Sequence, residues 1–89
     1  MEAEKIDLIK NDVLQLLKQV YKEELILKEF QHDLRGIKMV FDCSEEAKPK
    51  ILGKRGRHIR LVRRMIKIFG YMHYQANIYV FVLPDVKRI

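Results

Sequence analysis

Apolar residues in the first 22 positions recur three and four apart: Ile6, Ile9, Val13, Leu16, Leu17 and Val20. That spacing puts them on one face and predicts a core-facing helix over residues 1–22. Acids near its start (Glu2, Glu4, Asp7) and Lys18 and Lys22 near its end suit the helix dipole. After a turn at residues 32–36 the period changes. Ile37, Met39, Phe41 and Cys43 alternate with Lys38, Val40 and Asp42, the mark of a strand with one buried face. A strand that follows a short turn wants an antiparallel partner, so residues 24–31 are expected as the first arm of a hairpin spanning 24–43.

The helical period then returns. Ser44-Glu45-Glu46 offers a capping hydroxyl and two first-turn acids, but Pro49 has no N–H and clashes with a preceding turn. Either the helix begins near Pro49 or its first turn is irregular. Gly53-Lys54-Arg55-Gly56 interrupts the chain before a second helix at residues 57–69, with Gly70 expected to end it. Ile59, Leu61, Val62, Met65, Ile66, Ile68 and Phe69 cover about half of that helix's circumference, as expected of a core face. Residues 77–83 form a final strand before Pro84. Two helices between two strands imply a crossover and parallel pairing. The fold class is therefore α+β, in the order α-β-β-α-α-β, with a three-stranded mixed sheet and helices on one face.

Composition narrows the class. Eighty-nine residues allow one small core, read as a single domain over residues 1–89. The longest apolar run, residues 78–83, is far short of the ~20 residues of a membrane span. Met1-Glu2-Ala3-Glu4-Lys5 is unlike a signal peptide, and Cys43 as the sole cysteine excludes an internal disulfide. A cytoplasmic protein without a membrane partner is expected.

Charge points to a partner. Residues 48–67 hold half of the 18 basic groups and no acid, while the other 69 residues carry nine basic and 12 acidic groups, a net of −3. A basic segment on an acidic body implies a directed anionic partner, nucleic acid first and an anionic membrane second. The membrane reading needs the apolar face of residues 57–69 free, whereas a small domain needs it for its core. Arg57, Arg60, Arg63, Arg64 and Lys67 fill the opposite arc, and Arg60/Arg64 and Arg63/Lys67 are like-charged pairs at i,i+4. Such pairs oppose a helix, so the sequence accepts repulsion there.

Ile51-Leu52-Gly53-Lys54-Arg55-Gly56-Arg57-His58-Ile59 joins the two helices through a Gly-x-x-Gly loop. Glycines let backbone approach a phosphate chain closely, and the free N–H groups of the next helix favour anions. At these residues, with Val62 further on, the chain resembles the K-homology (KH) family of single-stranded nucleic-acid-binding modules. The element order resembles the type II arrangement, and the layout is similar to the small stand-alone bacterial KH proteins, which are RNA-binding and RNA-chaperone proteins.

The resemblance implies that Gly53, Lys54, Arg55 and Gly56 clamp the backbone of about four nucleotides. It also implies that Ile51, Leu52, Ile59 and Val62 line an apolar floor while serving the core, and that Arg57 and Arg60 flank the phosphates. Arg63, Arg64 and Lys67 are possible distal RNA contacts or simply a solvated face. Single-stranded RNA is the implied partner, and a larger KH-containing protein or a second copy is a possible further one.

Other chemistry is sparse. His32, His58, His73 and Cys43 lack metal-ligand spacing, and no cofactor is expected. Tyr71, Tyr74 and Tyr79 are either packing residues or platforms for bases. Ser44 is the only serine, threonine is absent, and Glu45 and Glu46 are adjacent rather than converging. The chain is not expected to be an enzyme.

Overall fold

The computed structural model describes residues 3–83; Glu2 in the acidic helix start and Pro84 after the final strand lie outside the described residues. Helix α1 (Ala3–Tyr21) buries Ile9, Val13 and Leu17, the inner row of its apolar stripe. It stops one residue before Lys22, whose φ of 55° is left-handed.

The hairpin arms are β1 (Ile26–Asp33) and β2 (Gly36–Asp42), paired antiparallel. The first arm thus sits two residues later than the period suggested. The Asp33 carboxylate accepts the backbone N–H of Arg35 at 2.8 Å, which tightens the turn to Leu34 and Arg35. His32 and Asp33 are left free to pair with Ile37 and Gly36.

Both readings of the next segment describe part of it. Ala47 N–H donates to the Ser44 hydroxyl at 3.2 Å in an irregular turn, and helix α2 (Lys48–Leu52) then starts with Pro49 in its first turn. A single 3-10 turn (Lys54–Gly56) leads into α3 (Arg57–Tyr74) and then β3 (Ile78–Val82). Strand β3 pairs parallel to β2, giving the sheet order β1-β2-β3. The fold is α+β with a three-stranded mixed sheet, in the order α-β-β-α-α-β.

Gly70 does not end α3. A Cβ there would lie 2.7 Å from Ile78 Cδ1 and 2.8 Å from the Ala76 carbonyl oxygen, so this glycine lets the helix press onto β3. The helix ends four residues later, where Gln75 turns left-handed and Gln75 and Ala76 N–H donate back to the carbonyls of Tyr71 and Gly70.

The core joins Ile37, Met39 and Phe41 of β2 and Ile78, Val80 and Val82 of β3 to the inner faces of the helices. From α3 it takes Ile59, Val62 and Ile66. Leu61, Met65 and Ile68, expected inside, are 63%, 38% and 61% exposed. A three-stranded sheet is narrow, and with α1 and α2 sharing its inner face only about a third of α3's circumference can reach it. Val40, read with the polar set, is 3% exposed on the sheet's other face, where its register partner Phe81 stands beside it.

Candidate nucleic-acid interface

The loop is built by backbone conformations that select its residues. Gly53 has φ 74° and ψ 177°, and a Cβ there would come within 2.6 Å of His58 Cβ and 2.9 Å of His58 N. Gly56 has φ 72°, yet a Cβ there would meet nothing nearer than 3.9 Å. The first glycine is needed for space and conformation, the second for conformation alone. Between them Arg55 holds φ 56°, a left-handed arrangement that L-residues adopt at a cost of about 1–2 kcal/mol. Gly56 N–H donates to the Gly53 carbonyl at 3.2 Å and Gly53 N–H to the Pro49 carbonyl at 2.9 Å, so the loop closes on itself.

Helix α3 opens directly from this loop with no side-chain cap and no acid in its first turn. Arg57 N–H donates to the Lys54 carbonyl of the preceding 3-10 turn, so what the chain leaves unbalanced is the positive end of the dipole, which no side-chain cap or first-turn acid offsets. Leu52, Gly53, Arg55, Gly56, Ile59, Arg60 and Arg63 enclose a hollow of about 390 Å³ beside them. Lys54, Arg55, Arg57 and Arg60 are exposed, and among the described residues none of the four is in an ion pair.

Only part of the implied floor is exposed to this hollow. Leu52 is half-buried and lines it, whereas Ile51, Ile59 and Val62, 0%, 2% and 4% exposed, are core residues, Ile59 reaching the hollow only at its wall. All three belong to the core cluster, and a core this small has no residue to spare. His58 is a packing residue. Its Nδ1 lies 3.3 Å from the Lys50 carbonyl oxygen and its ring meets that of Tyr21 edge-on at 4.9 Å. The Tyr21 hydroxyl finds no hydrogen-bond partner among the described residues, and burial pushes its pKa up to about 12, against a smaller opposing effect of Arg63.

The distal cations are not one solvated row. Arg63 lies beside the loop hollow and also donates its Nε–H to the Val80 carbonyl at 2.8 Å, with its guanidinium 5.1 Å from the centre of the Phe81 ring. It ties α3 to the outer edge of β3. Arg63, Arg64 and Lys67 line a second hollow of about 260 Å³ against residues 78–81. Lys67 sits 5.0 Å above the Tyr79 ring. Of the other tyrosines, Tyr71 is exposed and Tyr74 donates to the Asp12 carboxylate of α1. Cys43 packs against the core, and burial raises its thiol pKa. Among the described residues no group of three or more His, Cys, Asp or Glu comes together as a metal site, and no helix is long and apolar enough to cross a membrane.

Sequence reasoning missed Lys38 and Phe81, which the sheet places around this region. Alternation put Lys38 on the outer face of β2, but only the parallel register, Lys38 with Tyr79 and Val40 with Phe81, shows which aromatics join it.

No family model and no curated protein matches the chain. Among solved structures, the chain is similar to Era from Aquifex aeolicus, in a crystal structure of a variant bound to GDP and tetrafluoroaluminate, with a TM-score of 0.59. The match covers 84% of this chain at 15% identity. The fold is KH-like. That likeness concerns the KH-like architecture alone, because a shared fold does not carry a shared activity. The chain spans only 29% of that Era chain, and the nucleotide named with that structure is a property of the other protein.

Proposed function

We propose that the chain binds single-stranded RNA, gripping its backbone with Gly53, Lys54, Arg55 and Gly56 while Arg57 and Arg60 flank the phosphates. One observation carries the reading. A helix N-terminus with no side-chain cap and no first-turn acid opens off a loop in which Gly56 faces open space, and four exposed cations surround it without ion-pair partners among the described residues. Such a site favours a chain of phosphates over a single buried anion, because the hollow is open and several cations, Arg55, Arg60 and Arg63, line it. Leu52, half-buried at the hollow's wall, gives bases an apolar surface. On this reading the protein acts by binding rather than by catalysis, in the RNA-chaperone or RNA-metabolism role that a resemblance to small bacterial KH proteins implies.

The test is a pair of titrations. Wild type binds single-stranded RNA more tightly than a duplex of equal length, since an A-form helix buries the base faces. Lys54→Asp with Arg55→Asp abolishes binding while the circular dichroism spectrum stays unchanged. Binding within threefold of wild type would refute this site.

A second reading is favoured by Leu61, Met65, Ile68 and Met72, which are exposed at spacings of four, three and four along α3. That is the seam of a helix that packs against another helix, and it fits an interaction subunit that joins a larger KH-containing partner. RNA binding by the isolated chain supports the first reading; binding only with such a partner present supports the second.

A further inference from the structure

The outer face of the sheet, opposite the helices, carries two partly exposed aromatics, Tyr79 and Phe81, under three cations. Lys67 lies 5.0 Å from the Tyr79 ring centre, Arg63 5.1 Å and Lys38 5.8 Å from that of Phe81. Both rings line the hollow between α3 and the β3 edge. Both also line a third hollow of about 390 Å³ on the outer face, with Gln31, Asp33, Arg35, Gly36 and Lys38. The three hollows form a series: Arg63 is common to the first and second, and Tyr79 and Phe81 to the second and third.

The geometry points to a second nucleic-acid site: an RNA strand that leaves the glycine clamp crosses the outer edge of β3 and stacks its bases on Tyr79 and Phe81. This rests on the RNA reading of the clamp and extends it from a grip of about four nucleotides to a longer track. Aromatic faces accept any base, and adjacent cations neutralise the phosphates that accompany it. Charge selects this occupant. Lys38 and Arg35 face Asp33 as the one acid of the outer hollow, and the Asp33 carboxylate already accepts the N–H of Arg35. A protein segment would bring too little negative charge to replace the cation–ring contacts, whereas a strand of phosphates brings one charge per nucleotide. On β1, Asp33 lines the outer hollow and Glu29 stands opposite Val40.

The experiment compares RNAs of about four and about ten nucleotides. Wild type binds the longer RNA about tenfold or more tightly than the shorter. In Tyr79→Ala and Lys38→Gln that gain falls below threefold, while affinity for the short RNA is unchanged. A long RNA whose added nucleotides are abasic loses the gain on wild type, because phosphates alone do not stack. The chain contains no tryptophan, so Tyr79→Trp reports from this site alone: the long RNA quenches its fluorescence and the short one does not. A length gain that survives Tyr79→Ala, or an abasic strand that binds as well as the normal one, overturns the proposal and leaves the clamp standing. Wild type that binds neither RNA overturns both.

Discussion

Gly53 and Gly56 look equivalent in sequence, yet they are held for different reasons. Alanine at Gly56 meets open space and costs only the left-handed conformation, about 1–2 kcal/mol. Gly53, at φ 74° and ψ 177°, lies outside the left-handed helical well in a region essentially reserved for glycine, so alanine there costs about 1–3 kcal/mol in conformation and also drives a methyl to 2.6 Å from His58 Cβ. The expected outcome is that Gly53→Ala lowers stability by at least about 1 kcal/mol more than Gly56→Ala, read from urea midpoints at constant slope. Equal midpoints would mean that His58 yields freely and that the packing of its ring on Tyr21 is loose.

At the scale of elements, α3 has four faces, and the sequence suggested two. Its inner face is core, Arg63 and Lys67 lean on β3, Arg57, Arg60 and Arg64 face water, and the row from Leu61 to Met72 is exposed and apolar. This division decides how the distal arc is tested. Removing Arg63 would also break its bond to the Val80 carbonyl, so the informative variant is Arg64→Gln with Lys67→Gln. If both side chains contact phosphate, the double variant shallows the salt dependence of binding by roughly 0.7 log units per lost contact on a single strand. The loss is expected with RNA of about ten nucleotides and not with one of about four, which only the clamp holds. Unchanged slopes on both RNAs would show that these two cations take no part in binding.

At the scale of the whole molecule, a side-chain bond joins α3 to α1 across 62 positions of the chain. The Tyr74 hydroxyl near the end of α3 donates to the Asp12 carboxylate in the middle of α1 and pushes the Tyr74 pKa up to about 12. The protonated hydroxyl is the bonding form. Its contribution is complete below the unfolded pKa of about 10 and is lost as pH rises from there through about 12. Tyr74→Phe is expected to cost about 1 kcal/mol or less at pH 7, the value of one partly solvated hydrogen bond. It also flattens the alkaline fall of stability between pH 10 and 12. The fall persists in part, because burial raises Tyr21 into the same window. Urea melts of both proteins at pH 7, 10 and 12 check this, and parallel declines would show that the bond contributes nothing.

Much of this architecture was legible in one sequence because it is written in local periods. Spacings of three and four set α1 and α3, alternation set β2, and the parallel pairing of β2 with β3 followed from the helices between them. The loop was legible for a similar reason, since two glycines around two cations make a local signal. What was not legible depends on neighbours in space. Gly70 reads as a helix end in sequence, and only the closeness of Ile78 makes it a packing glycine inside α3. Whether an apolar residue of α3 is buried depends on the width of the sheet beneath it, so Val62 is inside and Leu61 is outside. The basic segment and its glycine loop were determined by the sequence by itself, as was the order of elements. Tertiary structure alone decided that Arg63 bridges to β3 and that Lys38, Tyr79 and Phe81 share one surface. The physical reason is range: periodicity and turn chemistry act over a few residues, whereas strand register and helix docking join positions about 40 apart in the chain.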